Sequence, residues 1–338
     1  MKLGLSKMAC TVFVFCVATA IAVSAQTFTT LHSFDGTDGA NPSAGVVQGA
    51  DGNLYGTASE GGGGYGTIFK ITPTGTLTTL HSFDGTDGER PYAGLIQATD
   101  GNFYGATDAG GGGEGTIFKI TATGTLTTLY SFDGTDGVYP HGSYPSGLIQ
   151  AAGGNFFGTS DEGGSNGGGT IFKITPTGTL TTLYSFGCVN GYCTDGASPH
   201  TALIQATDGD FYGTTSAGGL TKDFGEGTIF KISSTGTLTR LHSFDGTDGE
   251  IPDAGLMQAT DGSFYGMTFG GGVHGRGTIF KITPTGTLTT LHSFDGTDGF
   301  SPQAELVQAT DGNFYGQLLT EAGAAVPAQS SRSAQQAR

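Results

Sequence analysis

Aspartates recur in pairs, three residues apart, within a repeated D-G-T-D-G segment. The pairs are Asp35/Asp38, Asp84/Asp87, Asp133/Asp136, Asp245/Asp248 and Asp295/Asp298. Carboxylate oxygens are the ligands that Ca²⁺ prefers, so the pairs are candidate calcium ligands. Asp and Gly are also the residues that form tight turns, and the segments lack the ligand density of an EF-hand. Turn chemistry is therefore the favoured interpretation, calcium is the alternative, and no other cofactor is predicted.

Histidines fall into two groups. One group shares a place in the repeat that tyrosine takes in the other copies, namely His32, His81, His242 and His292 against Tyr130 and Tyr184. This interchange indicates packing. The other group lies in loops without an evident partner set, namely His141, His200 and His274. Catalysis needs a convergence of unlike groups, typically an acid and a base. Near-identical repeats provide symmetry instead, so the sequence predicts that the protein is not an enzyme and has no catalytic residues.

Glutamine and aromatic residues also recur once per repeat. The glutamines are Gln48, Gln97, Gln150, Gln205, Gln258 and Gln308. They could bind a sugar or ordered water, but a structural ring of hydrogen-bonded amides is favoured. The aromatic residues, Phe69, Phe118, Phe172, Phe230 and Phe280 with Tyr55, Tyr104, Tyr212, Tyr265 and Tyr315, are interpreted as the core between repeats. The glycine-rich loops lack the Lys-Ser/Thr and helix of a phosphate-binding loop.

Cys188 and Cys193 lie in one loop insert, G-C-V-N-G-Y-C. In an oxidising compartment we expect a local disulfide between them, which would mainly fix the shape of the loop. A metal or catalytic thiol pair is the alternative, but no histidine lies at ligand spacing.

The N-terminus resembles a targeting segment. Lys2 and Lys7 precede an apolar run that ends at Val23, and V-S-A is a small-x-small cleavage site before Gln26. Residues 1–25 are therefore predicted to be a signal peptide, with a membrane anchor as the alternative, and the protein is expected to be secreted or on the cell surface. Without those two lysines, 11 Lys and Arg face 29 Asp and Glu, a net charge of −18. This charge disfavours nucleic acid and anionic lipid as partners.

A unit of roughly 50 residues repeats along residues 26–316. Each copy runs P-x-A-G-L-I-Q, D-G-N-F-Y-G, a glycine-rich loop, G-T-I-F-K-I and T-G-T-L-T-T-L-Y-S-F. These are four strand signals separated by turn residues, and no segment has a sustained helical period. The predicted fold is all-β, a propeller of four-stranded blades, about six in number with the last incomplete. A β-solenoid is the alternative.

The order of the strands has two consequences. The segment T-F-T-T-L-H-S-F, which ends at Phe34, is a fourth strand without a preceding three, and in a closed ring it would complete the last blade. The loops before the first and third strands should share one face. Length differences concentrate there, at 138–144, 187–195 and 218–226. Binding residues gather on such loops, so this loop face is the predicted binding face.

Residues 317–338 share nothing with the repeat. Back-translated and read one base over from the codon of Gly316, they can encode a further glycine-rich loop followed by G-T-I-F-K-I. We therefore expect an aberrant tail caused by a frame shift, with an ordinary disordered tail as the alternative. The nucleotide sequence tests this.

The units A-G-L-I-Q-A-T-D-G-N-F-Y-G, G-T-I-F-K-I-T and L-H-S-F-D-G resemble the GloVer (Gloeo/Verruco) tandem repeat of choice-of-anchor tandem-repeat proteins. The resemblance covers residues 27–316 and implies an exported or surface propeller, with no activity or catalytic residues to transfer. The expected function is a binding scaffold for a glycan or protein, without a membrane span in the mature chain. The alternative is an extracellular polysaccharide hydrolase or lyase.

Overall fold

A computed structural model describes residues 29–134, 147–188, 192–220, 225–316 and Leu318. The predicted signal peptide and nearly all of the 317–338 tail lie outside the described residues. Residues 1–30 are a separate unit of which only the last two are described, and the blades belong to the unit that starts at Leu31. Within the described ranges no helix is long and apolar enough to cross a membrane.

The described residues form five four-stranded antiparallel sheets and one two-stranded sheet, each built in chain order. Blade one contains β1 (Val47–Gln48), β2 (Leu54–Ala58), β3 (Thr67–Ile71) and β4 (Leu77–Ser82); blade two contains β5 (Ile96–Gln97), β6 (Phe103–Thr107), β7 (Thr116–Ile120) and β8 (Leu126–Ser131); blade three contains β9 (Ile149–Gln150), β10 (Phe156–Ser160), β11 (Gly167–Ile174) and β12 (Leu180–Gly187). Blade four contains β13 (Ile204–Gln205), β14 (Phe211–Thr215), β15 (Thr228–Ile232) and β16 (Leu238–Ser243); blade five contains β17 (Met257–Gln258), β18 (Phe264–Thr268), β19 (Thr278–Ile282) and β20 (Leu288–Ser293); blade six contains β21 (Val307–Gln308) and β22 (Phe314–Tyr315). The prediction of an all-β propeller with an incomplete last blade is confirmed.

Tight turns join the strands of each blade as the sequence predicts. In blade one the turn between β1 and β2 places Gly52 at φ 81°, in the left-handed region that glycine adopts readily. The Asp51 carboxylate accepts hydrogen bonds from the Asn53 amide at 3.1 Å and the Tyr55 hydroxyl at 2.9 Å. The same residue types therefore fix the turn and orient the first core tyrosine.

Aromatic rings form the core between neighbouring blades. Tyr55 of blade one stacks on Phe103 of blade two with centroids 4.0 Å apart, and the pair is fully buried. Phe83, just after the fourth strand, meets Phe118 of the next blade edge-on at 5.4 Å. Corresponding aromatic pairs join each later blade to the next, ending with Tyr265 on Phe314. The interpretation of the repeated aromatic residues as inter-blade core agrees with this packing.

The first described segment behaves as a fourth strand. Phe34 meets Phe69 of blade one edge-on at 5.1 Å, as Phe83 meets Phe118 one blade later. A Cβ on Gly75 would lie 2.4 Å from the Leu31 carbonyl oxygen, as one on Gly124 would lie 2.6 Å from that of Leu80. Residues 31–34 therefore occupy, against blade one, the place that a fourth strand occupies against the blade after it.

The segments that lead into the first strands of the six repeats line one cavity, which we call the channel. This cavity of about 490 Å³ is lined by residues of the P-x-A-G segments, Gly45, Gly94, Gly147, Ala202, Gly255 and Glu305 among them. We call this end of the channel the channel mouth. It lies where the first strands begin, on the side of the predicted loop face.

Candidate functional site at the channel mouth

In blades one, two, four and five the loop before the first strand meets the glycine-rich loop of the same blade. An isolated antiparallel bridge joins the loop before the first strand to the glycine-rich loop, Ala40 to Glu60 in blade one and Glu250 to Gly270 in blade five. The structure thus places the predicted loop face on one side of the molecule. Residues 138–144, including His141, lie outside the described residues.

A strained backbone position recurs at this face, immediately before the proline of each described P-x-A-G segment. The residues are Asn41, Arg90, Ser198, Ile251 and Ser301, with φ between 47° and 55°. L-residues rarely adopt this region, and for a β-branched residue such as Ile251 it is an outlier. Such strain clusters at functional sites because the surrounding structure must hold it in place. The repeat therefore fixes the backbone conformation of the segment that leads into each first strand.

The residue after this proline differs in chemistry from blade to blade. It is Ser43, Tyr92, His200, Asp253 and Gln303 in blades one, two, four, five and six. The neighbouring strands, in contrast, are nearly identical. The blades therefore differ in chemistry at the channel mouth, where these residues would contact a ligand in the channel.

His200 has a partner in the preceding blade. Asp161 follows β10 of blade three, and its Oδ1 lies 2.8 Å from Nε2 of His200 in blade four. The two atoms are close enough for an ion pair when the ring is protonated, although the hydrogen-bond geometry at Oδ1 is poor. Both side chains are largely buried, at 19% and 14% exposed. Asp161 therefore holds the ring of His200 from across the blade boundary.

A second carboxylate acts on the same histidine. Burial alone would lower the pKa of His200, but Asp161, with smaller contributions from Asp253 and Glu162, raises it overall. Burial raises the pKa of Asp253, against the smaller opposing effect of His200. Proton transfer near neutral pH requires an acid and a base whose pKa values the surroundings have shifted from those in water.

Three buried atoms of this group make no hydrogen bond among the described residues, namely Oδ1 of Asp161, Nδ1 of His200 and Oδ1 of Asp253. The first lies 2.8 Å from Nε2 of His200. Buried polar atoms are nearly always paired with protein or ordered water, so the other two mark places for water or a ligand group. Asp253 also lines the channel cavity, so Asp161, His200 and Asp253 form one group that leads to the channel. We call it the channel triad.

Glu305 adds a fourth carboxylate at the mouth, at a place where four other repeats have glycine and blade four has Ala202. Its side chain lies over Gly255, where a Cβ would come within 2.0 Å of Oε1. The residue keeps solvent-exposed surface within the channel, yet the surrounding protein raises the pKa of its carboxyl by desolvation. It has no hydrogen-bond or ion-pair partner in the described part of the chain. It can therefore accept hydrogen bonds from a ligand.

The first aspartate of each described pair closes a turn. Asp35 accepts hydrogen bonds from the Thr37 hydroxyl and amide and from the Asp38 amide, and these lower the pKa of Asp35. The threonine two residues on donates in the same way to Asp84, Asp245 and Asp295. These contacts are the turn chemistry that the sequence favours.

The second aspartate of each of the four fully described pairs contacts the histidine six residues before it. The contacts to Nε2 are 2.7 Å for Asp38 with His32, 2.7 Å for Asp87 with His81, 2.8 Å for Asp248 with His242 and 2.6 Å for Asp298 with His292. A calcium site would instead need these carboxylates to converge with further oxygen ligands.

The carboxylates of Asp38, Asp87, Asp248 and Asp298 are engaged by histidine within their own turns. Among the described residues no group of three or more His, Cys, Asp or Glu is arranged to hold a metal. Asp133 is described and Asp136 is not, so the third pair lies partly outside the described residues. Calcium binding by the aspartate pairs stays a prediction.

The side chains of the repeated glutamines form hydrogen bonds that join adjacent blades. Gln97 accepts a hydrogen bond from the Ala50 amide of blade one at 2.9 Å and donates to the Gly101 carbonyl at 3.2 Å. Gln258 likewise joins Thr207 of blade four to Gly262 of its own blade. Their amides are thus occupied by backbone groups, which agrees with the structural interpretation. Cys188 and Cys193 form a disulfide with Cα atoms 4.0 Å apart.

Sequence reasoning missed the channel triad because its members lie in different repeats. His200 was assigned no partner set, whereas the structure provides Asp161 and Asp253. The third loop histidine, His274, is not part of this group; its charge acts on the turn carboxylate of Asp295. A signal was available, since aligning the repeats shows that the residue after the proline changes in chemistry from blade to blade, and that Glu305 replaces a small residue.

The titration of Asp253 gives a test of this electrostatic environment. A carboxyl whose folded pKa is raised favours its neutral form, so wild-type loses stability as pH rises from the ordinary value of 3.8 towards the raised one. The Asp253→Asn variant lacks this loss. We expect the free energy of unfolding of the variant, relative to wild-type, to increase with pH across this window, measured by urea denaturation between pH 3.5 and 8. A difference that stays constant with pH would contradict the raised pKa.

Comparison with known proteins agrees with this architecture. The sequence model of one protein family, the Gloeobacter/Verrucomicrobia repeat, matches residues 14–144 and 140–327 of this chain. A search of curated proteins gave no significant match. Among solved structures, one provisionally named a 6-phosphogluconolactonase, from Bacteroides uniformis, is 16% identical with a TM-score of 0.53 over 86% of this chain and 84% of that one. The periplasmic gluconolactonase of Pseudomonas aeruginosa is 17% identical with a TM-score of 0.48, covering 86% and 85%.

These comparisons correct one expectation. The prediction that the protein is not an enzyme is wrong as argued, because a solved structure with a similar fold carries the provisional name of a 6-phosphogluconolactonase. At such identity the likeness concerns the fold alone, and a fold of this kind does not exclude catalysis. The physical reason lies in the channel triad: a few substitutions at the mouth suffice to bring unlike groups together while the blades stay alike.

Proposed function

The chain belongs to the Gloeobacter/Verrucomicrobia repeat family, and from this premise we propose that it is a propeller hydrolase that binds an uncharged, hydroxyl-rich substrate at the channel mouth. The observation that carries the proposal is the convergence of Asp161, His200 and Asp253 where the blades otherwise repeat. Residues 1–25 support the further expectation that it acts outside the cell or on its surface.

The charge at the channel mouth defines the class of substrate. The described residues that line the cavity include Asp253 and Glu305 and no lysine or arginine. Carboxylates accept hydrogen bonds from hydroxyl groups and repel phosphate, so a neutral sugar derivative fits better than a phosphorylated one. The provisional name of the Bacteroides structure refers to a phosphorylated lactone. An acidic mouth favours the unphosphorylated analogue.

Hydrolysis of a cyclic sugar ester requires two proton transfers. A water oxygen forms a bond to the carbonyl carbon and loses a proton to a general base. The ring carbon–oxygen bond then breaks, and the departing oxygen receives a proton, which yields a hydroxy acid. His200, held by Asp161, is the group suited to take and return that proton, and Asp253 is suited to position the water.

The test is a turnover assay with the whole protein on neutral sugar lactones, their phosphorylated counterparts and acetylated sugars. Product acid is followed by pH-stat titration at pH 6–8. We expect saturable turnover of a neutral lactone and at least ten times lower kcat/KM for its phosphorylated counterpart. Absence of turnover on every substrate would contradict the proposal, and preference for the phosphorylated form would contradict the assigned substrate class.

A second candidate function is binding without turnover through the glycine-rich loops. Apolar side chains are exposed there, namely Val273 at 83% and Leu220 at 67%. Tyr192, in the disulfide loop, and Tyr65, before β3, are 43% and 40% exposed. Exposed aromatic and apolar residues on loops favour contact with a glycan or protein. A glycan array read beside the turnover assay distinguishes the two functions, because binding without hydrolysis would favour this one.

A further inference from the structure

Two residues before each first strand, four of the repeats have glycine. These residues are Gly45, Gly94, Gly147 and Gly255, and all four line the channel. None of them has a positive φ, so the backbone conformation does not require glycine at this position. Glycine also adds flexibility to the unfolded chain and thereby lowers stability, so its recurrence here must have another reason.

Packing does not require glycine at this position either. Among the described residues, and apart from its chain neighbours, no heavy atom lies within 4 Å of where a Cβ on Gly45 would be. A Cβ on Gly94 would lie 3.6 Å from the Gly45 carbonyl oxygen, and one on Gly147 would lie 3.7 Å from that of Gly94, which are ordinary contacts. By comparison, a Cβ on Gly56 would lie 2.6 Å from the Phe69 ring. The first three glycines therefore leave empty a space that a side chain could fill, and this space belongs to the channel.

Blade six has a carboxylate at the same position. A Cβ on Gly255 would collide with the carboxylate of Glu305, so the missing side chain of blade five provides the room that Glu305 occupies. Asp253 lines the cavity two residues before Gly255, and the described lining includes no lysine or arginine. The mouth thus presents small residues in five blades and a carboxylate in the sixth.

We propose that these six residues form a selectivity ring, which admits neutral sugar-sized molecules to the channel and rejects anions, with Glu305 as its charge-selecting residue. The ring comprises Gly45, Gly94, Gly147, Ala202, Gly255 and Glu305. A carboxylate within a confined, poorly solvated cavity repels an anion more strongly than one in open water. The substrate class rests on the proposed function. The ring adds that the acid formed from a neutral lactone is itself an anion, so the residue that selects the substrate also disfavours the product.

The test measures entry into the channel without turnover. Gly94→Cys places a thiol on the selectivity ring of the full chain, and Val273→Cys places one on a loop where the native side chain is 83% exposed. Each variant is treated with a hydroxyethyl and a sulfonatoethyl methanethiosulfonate, which are neutral and anionic and of similar size, and peptide mass spectrometry gives the labelling rates. Both reagents need the thiolate, so the ratio of their rates does not depend on the pKa of the thiol. We expect the neutral-to-anionic ratio to be at least tenfold higher at position 94 than at position 273.

Further substitutions locate the selection in the ring. Glu305→Gln, made in the Gly94→Cys protein, should lower the ratio at position 94 at least threefold. Glu60→Gln removes the same charge from an exposed residue outside the cavity lining and should leave the ratio within about twofold. Gly45→Leu should slow both reagents at position 94 at least tenfold by filling the open space, whereas an unfolded variant would be labelled faster.

The proposal is overturned if neither reagent labels position 94, if the ratios at positions 94 and 273 are equal, if Glu305→Gln leaves the ratio unchanged, or if Gly45→Leu does not slow labelling. These outcomes are independent of hydrolysis. The expected labelling in a protein that turns over no lactone would retain the selectivity ring and overturn only the proposed function. Turnover with equal ratios at the two positions would do the reverse.

Discussion

Replacing His200 by asparagine is expected to lower kcat on the hydrolysed sugar lactone by about 10²–10⁴-fold, since positioned general acid–base groups contribute factors of that size. Asparagine keeps much of the volume and hydrogen-bonding capacity of the ring but cannot take or return a proton near neutral pH. KM should change little, because the hydroxyl-binding carboxylates stay in place. Initial rates between pH 5 and 9 measure both parameters.

The chain provides a matched control for this substitution. His242 contacts Asp248 at 2.8 Å and meets Phe244 edge-on at 5.1 Å, so it too is a histidine paired with an aspartate. It belongs to the repeated turn and not to the channel mouth. His242→Asn should therefore leave kcat within about twofold of wild-type, since it removes nothing that a substrate in the channel contacts. Equal losses in the two variants would show that the effect on His200 is structural.

Asp161 acts through His200 and is a positioning residue. Because Asp161 is the main cause that raises the pKa of His200, Asp161→Asn should move the histidine-dependent limb of the pH–rate profile to lower pH. A merely structural role would lower the rate at every pH without moving this limb. The pH–rate profile of the variant therefore distinguishes a positioning role of Asp161 from a merely structural one.

Much of the fold could be predicted from the sequence because each repeat carries local signals that agree with one another. The glycine at φ 81° in the first turn, the Asp–Asn–Tyr hydrogen bonds beside it and the alternating apolar residues all specify the same hairpin. Repetition also predicted a fourth-strand segment in T-T-L-H-S-F, and residues 31–34 pack against blade one where such a strand would lie, without being paired in a sheet. Local pattern was sufficient there because each contact lies within one blade or between equivalent residues of adjacent blades.

The candidate site could not be predicted in the same way. Asp161 and His200 meet only because blade three packs against blade four, and His200 occupies the one position of its recurring segment whose residue type changes from blade to blade. The left-handed backbone at Ile251 is likewise opposed to local preference, since residues before proline favour extended conformations. The surrounding bridge between Glu250 and Gly270 holds it. The proposed site thus consists of departures from the repeat, which a search for recurring residues passes over.

The architecture also determines where the chain is most sensitive to substitution. Phe211 of blade four is fully buried and stacks on Phe157 of blade three with centroids 4.1 Å apart. Phe211→Ala would leave a cavity between two blades whose rigid sheets cannot collapse into it, so we expect a loss of about 3–5 kcal/mol in the free energy of unfolding. Urea denaturation measures this loss directly.

The control is Val273→Ala, on the glycine-rich loop of blade five, where the side chain is 83% exposed. Surface substitutions of this kind change stability by about 0.5 kcal/mol or less. The contrast tests whether the stability of the propeller resides between blades or within them. If Phe211→Ala costs no more than Val273→Ala, the blades are not held together by their aromatic stacks. If the cost is as expected, the near-identity of the blades has a physical reason: each ring must fit both its own sheet and the next, which leaves the channel mouth as the place where residues can diverge.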